Sequence, residues 1–437
     1  MQTKYLIIGS SHAGLSAAEE IRVHDQDGTL TMISMENCLP YSPTILPYIV
    51  EGKVKPEIIY LRDEKYFKDN KITFLKGKKL VKLDTKASKA GLDDGSEISY
   101  EKILIATGST PTIPPVPGLK ESPYHVLRTM EDALNINKAA EKAKSAVVLG
   151  TGLVGMHAAE GLQKKGLKVD LIRGRRRAVL PNYFDADAGK LIHQVFIDHG
   201  INCNLDQQVG QVESGNGKLK VTIKDGPVID TDMVVVGTGV KSRMEFLSPD
   251  VQTGEGILVD NMMRTSAENV WAAGDVAQAA DFFADGKILN AILPDAYEQG
   301  KIAGLSMAGD PAKIAAFEEI GGDVALSYPG GVGMNTFNFY GNRSFAVGLS
   351  LEGEDSGYEI DKTLLPGGCV YQKLVFKNDV LVGAIGINVA MDPGVVMNLI
   401  RRKISMGKDK VEFVIKPLDM GRRLMWKNWL GSIQIAR

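Results

Sequence analysis

Hydrophobic residues at the start of the chain form short unbroken runs on either side of a helical segment. Residues 4–8 are an apolar run that ends at Gly9, which is typical of a buried parallel strand. Residues 13–21 have helical composition, and residues 29–34 are expected to form the next strand. This order predicts one β-α-β unit, which needs roughly 30 residues.

The same order of elements returns from Ser145 onward. We predict a strand at residues 146–149, a glycine-rich turn at 150–155, a helix at 156–165 and a strand at 168–172. Two such units in one chain indicate two Rossmann-like nucleotide-binding domains.

The pattern changes toward the C-terminus. Short predicted strands such as residues 345–349 and 372–376 have no helix between them, which predicts an antiparallel sheet. Residues 395–404 are expected to be helical. The expected fold class is therefore α/β, with two Rossmann-like domains and a C-terminal α+β domain.

Composition and charge narrow the class of protein. A chain of 437 residues is expected to form two or three domains, and its net charge of -2 gives no reason to expect nucleic acid as a partner. No apolar run approaches the ~20 residues of a transmembrane segment. Met1–Gly9 runs straight into a strand, unlike a signal peptide, so we expect a cytoplasmic protein. Cys38, Cys203 and Cys369 lie far apart without metal-ligand spacing, so no metal is expected.

The second glycine-rich turn matches the GxGxxG pattern. Gly150 allows the tight turn, Gly152 lets the backbone approach a pyrophosphate, and Gly155 lets the helix pack closely on the strand. The free N–H groups at the start of the helix would then meet the anion. We predict a dinucleotide site at these three residues.

The first turn is a variant of the same pattern. It contains Gly9 and Gly14, with the small Ser11 where the second glycine is usual. Glu36 follows the next strand, where a carboxylate accepts hydrogen bonds from ribose hydroxyls. The alternative is that Glu36 is a solvated charge at a strand end.

Two further predicted strands end in short motifs, at Ala106-Thr107-Gly108 and at Gly274-Asp275. With both glycine turns, these motifs resemble the two-dinucleotide-binding flavoproteins called pyridine nucleotide-disulfide oxidoreductases. The resemblance covers residues 1–404 and implies that the first site holds FAD and the second NAD(P)H. It also implies that Asp275 binds the ribityl chain of the flavin, although the same carboxylate could cap a helix beginning at Val276. Residues 294–303 match the family helix that faces the flavin.

His12 points to one branch of this family. The sequence around it resembles NADH oxidases, NADH peroxidases and coenzyme A disulfide reductases, in which a histidine lies beside the flavin and a redox cysteine. Histidine suits proton transfer near neutral pH, although it could instead only pack against the cofactor. The position that matches the redox cysteine is Thr44, and a hydroxyl cannot form a sulfenate or a disulfide. We therefore predict His12 and Thr44 as catalytic positions and no relay through sulfur.

Without a redox thiol beside the flavin, electrons must leave directly from the flavin. Flavins accept a hydride and release electrons singly, which suits an iron-sulfur protein, a rubredoxin or a cluster-bearing subunit as the acceptor. Residues 39–43 and the Ser-Ser-His start are similar to flavoprotein subunits of the phenylglyoxylate dehydrogenase type. Two alternatives remain open, an NAD(P)H oxidase that uses O₂ and a flavin-bearing assembly subunit with a vestigial nicotinamide site.

The predicted nicotinamide site carries basic residues where an acid is usual for NAD. Arg173 and Arg175 would pair with a 2′-phosphate, which favours NADPH, or they could form a solvated loop in an NADH enzyme. Gly239 is expected to line this cleft, and His157 stands in place of a family glutamate.

The resemblance implies four segments and an oligomer. We expect an FAD-binding domain from residues 1–118 and 245–322, an NAD(P)-binding domain from 119–244, and a dimerisation or interface domain from 323–437. The chain would act as a homodimer or within a larger complex. Trp426 and Trp429 in the basic tail either pack on their own domain or dock a partner.

Overall fold

The described chain forms two compact units. The computed structural model describes residues 1–174, 178–215, 217–310 and 327–435. Within these residues, the first unit is drawn from Met1–Thr112, Arg128–Leu134 and Val240–Gly331. The second is drawn from Ile113–Leu127, Asn135–Gly239 and Val332–Arg437.

The described helices, numbered in chain order, are α1 (His12–His24), α2 (Leu46–Glu51), α3 (Glu64–Asp69), α4 (Met130–Ala140), α5 (Leu153–Lys164), α6 (Ala186–Asp198), α7 (Leu293–Ala308), α8 (Pro393–Arg401), α9 (Lys410–Ile415) and α10 (Pro417–Ile435).

The strands of the first unit are β1 (Gln2–Ile8), β2 (Leu30–Ser34), β3 (Ile72–Lys76), β4 (Leu80–Asp84), β5 (Lys89–Leu92), β6 (Glu97–Ile105), β7 (Ser109–Pro111), β15 (Val240–Ser242), β16 (Ile257–Leu258), β17 (Val270–Ala272), β18 (Ala277–Ala280) and β19 (Lys287–Ile288). Those of the second are β8 (Ser145–Leu149), β9 (Lys168–Arg173), β10 (Asn202–Leu205), β11 (Val209–Gly215), β12 (Lys218–Ile223), β13 (Val228–Thr231), β14 (Met233–Val236), β20 (Met334–Phe339), β21 (Asn342–Gly348), β22 (Glu359–Leu365), β23 (Val370–Lys377) and β24 (Val380–Ile387).

The first unit is built on a seven-stranded sheet in the order β3-β2-β1-β6-β5-β4, with β17 also paired to β6. Strands β1, β2, β3, β6 and β17 are parallel, while β4 and β5 return antiparallel. Leu6, Ile7 and Leu104 in the two central strands have no exposed surface. Burial on both faces explains why the carboxyl-terminal parts of these strands are continuous apolar runs.

Helices α1 and α7 pack closely together in the first unit because glycines line their contact. A Cβ atom on Gly300 would lie 2.2 Å from the carbonyl oxygen of Ala13, and one on Gly304 would lie 2.6 Å from that of Ala17. No side chain fits at these distances, so the contact fixes α7 against the helix that follows the first glycine turn.

The second unit contains a parallel four-stranded sheet, β10-β9-β8-β14, and an antiparallel five-stranded sheet, β20-β21-β24-β23-β22. A three-stranded sheet, β11-β12-β13, completes it. Helix α8 packs on the five-stranded sheet, and α10 packs on α8. Among the described residues, no helix is long and apolar enough to cross a membrane.

The predicted α/β class, both β-α-β units and the antiparallel C-terminal sheet are confirmed. A helix is also present where residues 395–404 were predicted to be helical, but it spans Pro393–Arg401. The alternative of a helix capped by Asp275 is wrong, because the chain continues there into β18. The predicted four-segment division stays a prediction, and its boundary at residue 322 lies outside the described residues.

Candidate functional site

A cleft lies in the first unit, at the carboxyl ends of β1, β2 and β6. This is the position at which parallel α/β sheets bind ligands. The predicted residues that line it are Gly9, Ser11, Glu36, Ala106, Thr107 and Gly108. Six residues from three separate segments of the sequence therefore meet in one place.

The helices that follow the two glycine turns are left without caps. Ser11 makes no side-chain cap bond to α1, Gly152 has none to offer α5, and neither first turn contains an acidic residue. In contrast, Asp63, Asp185 and Asp392 cap α3, α6 and α8. The free N–H groups and the positive dipole ends of α1 and α5 suit the pyrophosphate of a dinucleotide.

The first turn is shaped by two glycines that no other residue could replace. Gly9 has a φ of +118°, and a Cβ atom there would lie 2.1 Å from the carbonyl oxygen of Ala106. A Cβ atom on Gly14 would lie 2.0 Å from the carbonyl oxygen of Gly9. These contacts bring β1, β6 and α1 close enough to leave a backbone-lined floor to the cleft.

The carboxylate of Glu36 is held in the cleft by partners that sequence reasoning missed. The hydroxyl of Tyr41 donates to both carboxylate oxygens, at 3.0 and 2.7 Å. The backbone N–H of Met130 lies 3.0 Å from Oε2 and 2.8 Å from the Tyr41 hydroxyl oxygen. Burial and the neighbouring Glu36 raise the pKa of Tyr41, so its proton stays available to the carboxylate. A carboxylate has about four acceptor positions, which leaves room for ribose hydroxyls.

Asp275 lies beside the cleft and is engaged by two of its lining residues. Nη2 of Arg128 donates to Oδ2 at 2.8 Å, and the hydroxyl of Ser109 donates to the same oxygen at 3.0 Å. The neighbouring Gly274 has a φ of +81°, and its N–H donates to Gln299 of α7 at 2.9 Å. Arg128 therefore brings a cation to the cleft floor, which the sequence alone did not reveal.

His12, Ser42 and Thr44 form a chain of hydrogen bonds in the first unit. Nε2 of His12 lies 2.9 Å from Oγ of Ser42, and that oxygen lies 2.8 Å from Oγ1 of Thr44. Burial lowers the pKa of His12, so the imidazole is neutral at neutral pH. Thr44 is exposed, so the chain leads from a half-buried imidazole to solvent. The two predicted catalytic residues do not touch each other directly, since Ser42 joins them.

The thiols of this chain are poor nucleophiles at neutral pH. Cys38 lines the cleft, where burial and the nearby Glu36 raise the pKa of its thiol to about 11. Burial also raises the pKa of Cys203 to about 11 and that of Cys369 in the same direction. All three are unpaired, and a protonated thiol is slow in redox exchange.

The second unit holds the other glycine turn between β8 and α5. Gly150 has a φ of +109°, and a Cβ atom on Gly155 would lie 2.0 Å from its carbonyl oxygen. A Cβ atom on Gly152 or on Gly239 would meet no protein atom within 4 Å. The crowded positions, Gly150 and Gly155, are those expected to shape the turn and the helix packing. The open positions, Gly152 and Gly239, leave space for a ligand.

Arg173 ends β9 and is turned toward this loop. Its Nη1 donates to Oγ1 of Thr151 at 2.8 Å, and the Thr151 hydroxyl donates to the carbonyl oxygen of Ala178 at 3.2 Å. Arg175 lies outside the described residues. His157, which stands in place of a family glutamate, packs against Phe339 with ring centroids 4.5 Å apart and ring planes tilted by 40°.

The elements, glycine turns and cleft together are those of a flavoprotein with two dinucleotide sites. Residues 3–310 match the profile of the pyridine nucleotide-disulphide oxidoreductases. The chain belongs to this family. Its members are oxidoreductases that use FAD and NAD(P)H.

Relatives agree with this assignment. The chain is 42% identical over 429 residues to the epsilon subunit of an NADH-dependent phenylglyoxylate dehydrogenase from Aromatoleum evansii, covering 98% of each protein. It is 32% identical to an NADH oxidase from Methanocaldococcus jannaschii, covering 76% of each. A solved NAD-dependent persulfide reductase from A. fulgidus is 25% identical with a TM-score of 0.80, over 93% of this chain and 78% of that one. The predicted resemblance to this family, and to its NADH oxidase and phenylglyoxylate dehydrogenase-type members, is confirmed.

Proposed function

We propose that this chain oxidises NADH with bound FAD and passes the electrons singly to an iron-sulfur or rubredoxin-type protein, without a redox thiol. The observation that carries the proposal is the chain from His12 through Ser42 to Thr44, in which a hydroxyl takes the place expected for sulfur. The raised pKa of Cys38, the thiol that lines the cleft, also supports electron transfer without a redox thiol.

The residues of the first unit fit the parts of FAD by their chemistry. The uncapped start of α1 would bind the pyrophosphate, Glu36 the adenosine ribose, and Asp275 with Arg128 the ribityl and phosphate region. When bound there, FAD supplies a group that takes a hydride and releases electrons one at a time.

The nicotinamide nucleotide would lie on the turn at Gly150, Gly152 and Gly155, with Gly239 lining the same cleft. We propose NADH, because the relative with 42% identity is NADH-dependent and Arg173 already binds Thr151. The expectation of NADPH from the basic residues is tested by Arg173→Ala. If Arg173 binds a 2′-phosphate, the KM for NADPH should rise at least roughly tenfold while that for NADH stays constant.

The hydroxyl chain would carry the proton of the reaction. Oxidation of one NADH by a one-electron acceptor yields NAD⁺, two electrons and one proton. Because His12 is neutral it can take up this proton, and Ser42 and Thr44 can pass it on to solvent by exchanging hydrogen bonds. The residues then supply orientation and proton transfer, and no covalent intermediate with the protein is needed.

An NADH oxidase is the second candidate, since the Methanocaldococcus jannaschii relative carries that name. In this alternative O₂ takes the electrons, and His12 gives a proton instead of removing one. The phenylglyoxylate dehydrogenase relative matches over a larger share of the chain and is a subunit, which favours a protein acceptor.

Acceptor kinetics separate the two candidates. Purified holoenzyme is supplied with NADH and with one of three acceptors: an oxidised ferredoxin, an oxidised rubredoxin or the oxygen of air-saturated buffer. The loss of NADH is then followed. The proposal expects turnover with at least one of the iron-sulfur proteins to exceed turnover with oxygen by roughly tenfold or more. Equal or faster turnover with oxygen alone would establish the oxidase instead.

A further inference from the structure

The C-terminal helix α10 buries one face and exposes the other. Met420 and Leu424 are buried, and Gly421 lets the helix approach α8, since a Cβ atom there would lie 2.9 Å from Val395. On the other face, the side chains of Trp426 and Trp429 are 58% and 48% exposed, with ring centroids 5.0 Å apart. Two adjacent exposed tryptophans are unusual on a free surface and common in interfaces.

These tryptophans belong to a groove between α8 and α10. Arg402, Arg422, Met425 and both tryptophans line it. Asp392 also lines it, but its carboxylate already accepts hydrogen bonds from the N–H groups at the start of α8. Arg422 forms no ion pair with any described residue, and Nη1 of Arg402 contacts only the neutral Asn428, at 3.3 Å, among its described hydrogen bonds. Two guanidinium groups beside an apolar surface suit bidentate binding of carboxylates.

The charge around the groove differs from that of the whole chain. Residues 401–430 contain nine Lys and Arg against three Asp and Glu, whereas the chain as a whole has a net charge of -2. Such a local excess attracts acidic surfaces and accelerates their association.

We propose that the α8–α10 groove docks an acidic protein partner, whose carboxylates pair with Arg402 and Arg422 while an apolar group covers the two tryptophans. The inference rests on the proposed function for the class of partner, an iron-sulfur protein. A second copy of this chain fits less well, because a two-fold interface would set the basic surface against itself. The match to a relative named as a subunit extends over 98% of this chain, so it includes these helices.

The test compares charge-reversal variants of the holoenzyme. Arg402→Glu/Arg422→Glu removes the proposed pair, and Lys68→Glu/Lys190→Glu makes the same change of charge at two exposed lysines elsewhere. Binding of an acidic iron-sulfur ferredoxin is measured by calorimetry at low salt. We expect the first variant to lose roughly tenfold or more in affinity and the control to keep it.

Each result decides the matter. Absence of ferredoxin binding to the unaltered protein, or equal binding by both variants, overturns the inference. Two further results would also overturn it. One is that the unaltered protein sediments as a dimer and only the Arg402→Glu/Arg422→Glu variant sediments as a monomer. The other is that the unaltered protein binds anionic phosphatidylserine vesicles but not ferredoxin. Reduction of the bound flavin by NADH needs no partner. If NADH fails to reduce the flavin of the unaltered protein, that result counts against the proposed function and not against the docking surface.

Discussion

Replacing Glu36 by Gln should weaken binding of the adenosine half of FAD. Glu36 is fixed by Tyr41 and by the N–H of Met130, so its free lone pairs are held in place before the ligand arrives. Glutamine keeps the size but loses the charge and one acceptor oxygen. A hydrogen bond to a charged group contributes about 1.5–3 kcal/mol. At 1.4 kcal/mol for each factor of ten, this predicts a rise in the Kd of about 10- to 150-fold.

The assay measures the Kd of the apoprotein for ADP and for an ADP analogue whose ribose lacks both hydroxyls. Changing Glu36 in the protein and the hydroxyls in the ligand gives a double-mutant cycle. The unaltered protein should prefer ADP, and Glu36→Gln should bind both ligands equally weakly. Tyr41→Phe is the matched control, because it keeps the carboxylate and leaves Met130 N–H bonded to Glu36. The assignment of Glu36 to the ribose is refuted if Glu36→Gln keeps the full preference for ADP.

Three further predictions concern the relay, the thiols and the second site. Because burial lowers the pKa of His12, its neutral form is lost only as the pH falls through that lowered value, and acceptor-dependent turnover should fall with it. Ser42→Ala should slow this turnover by about a hundredfold, with reduction of the flavin by NADH unchanged in stopped-flow traces. Cys38→Ser should change turnover by no more than about a factor of two relative to the unaltered protein. Treatment with a thiol-alkylating reagent at neutral pH should have an equally small effect, because a thiol with a pKa of about 11 is protonated there. Gly155→Ala, with a Cβ atom 2.0 Å from the carbonyl oxygen of Gly150, should abolish NADH binding in titrations while the flavin content is retained.

The periodic part of the fold could be predicted from the sequence because its signals are local. The apolar runs at β1 and β8 and the glycine turns after them lie within a few residues of each other, and burial on both faces dictates their composition. Glu36 could also be predicted, since its position depends only on the end of the adjacent strand.

The contacts between distant segments could not be predicted in this way. Ser42 joins His12 across 30 positions, and Arg128 reaches Asp275 across 147. A serine two residues before Thr44 was a usable signal, because two neighbouring hydroxyls near a histidine can form a relay. The cation at Arg128 had no such signal, since a lone arginine at the start of α4 is equally common as a solvated charge.

The central claim is that electrons pass from NADH to FAD and onward with no sulfur relay. An anaerobic titration of the holoenzyme with NADH tests it directly, because it counts the electrons that the protein takes up. We predict that the visible absorbance of oxidised flavin is lost after one equivalent of NADH for each FAD, with no further uptake. Consumption of a second equivalent, accompanied by new titratable thiols, would contradict the account.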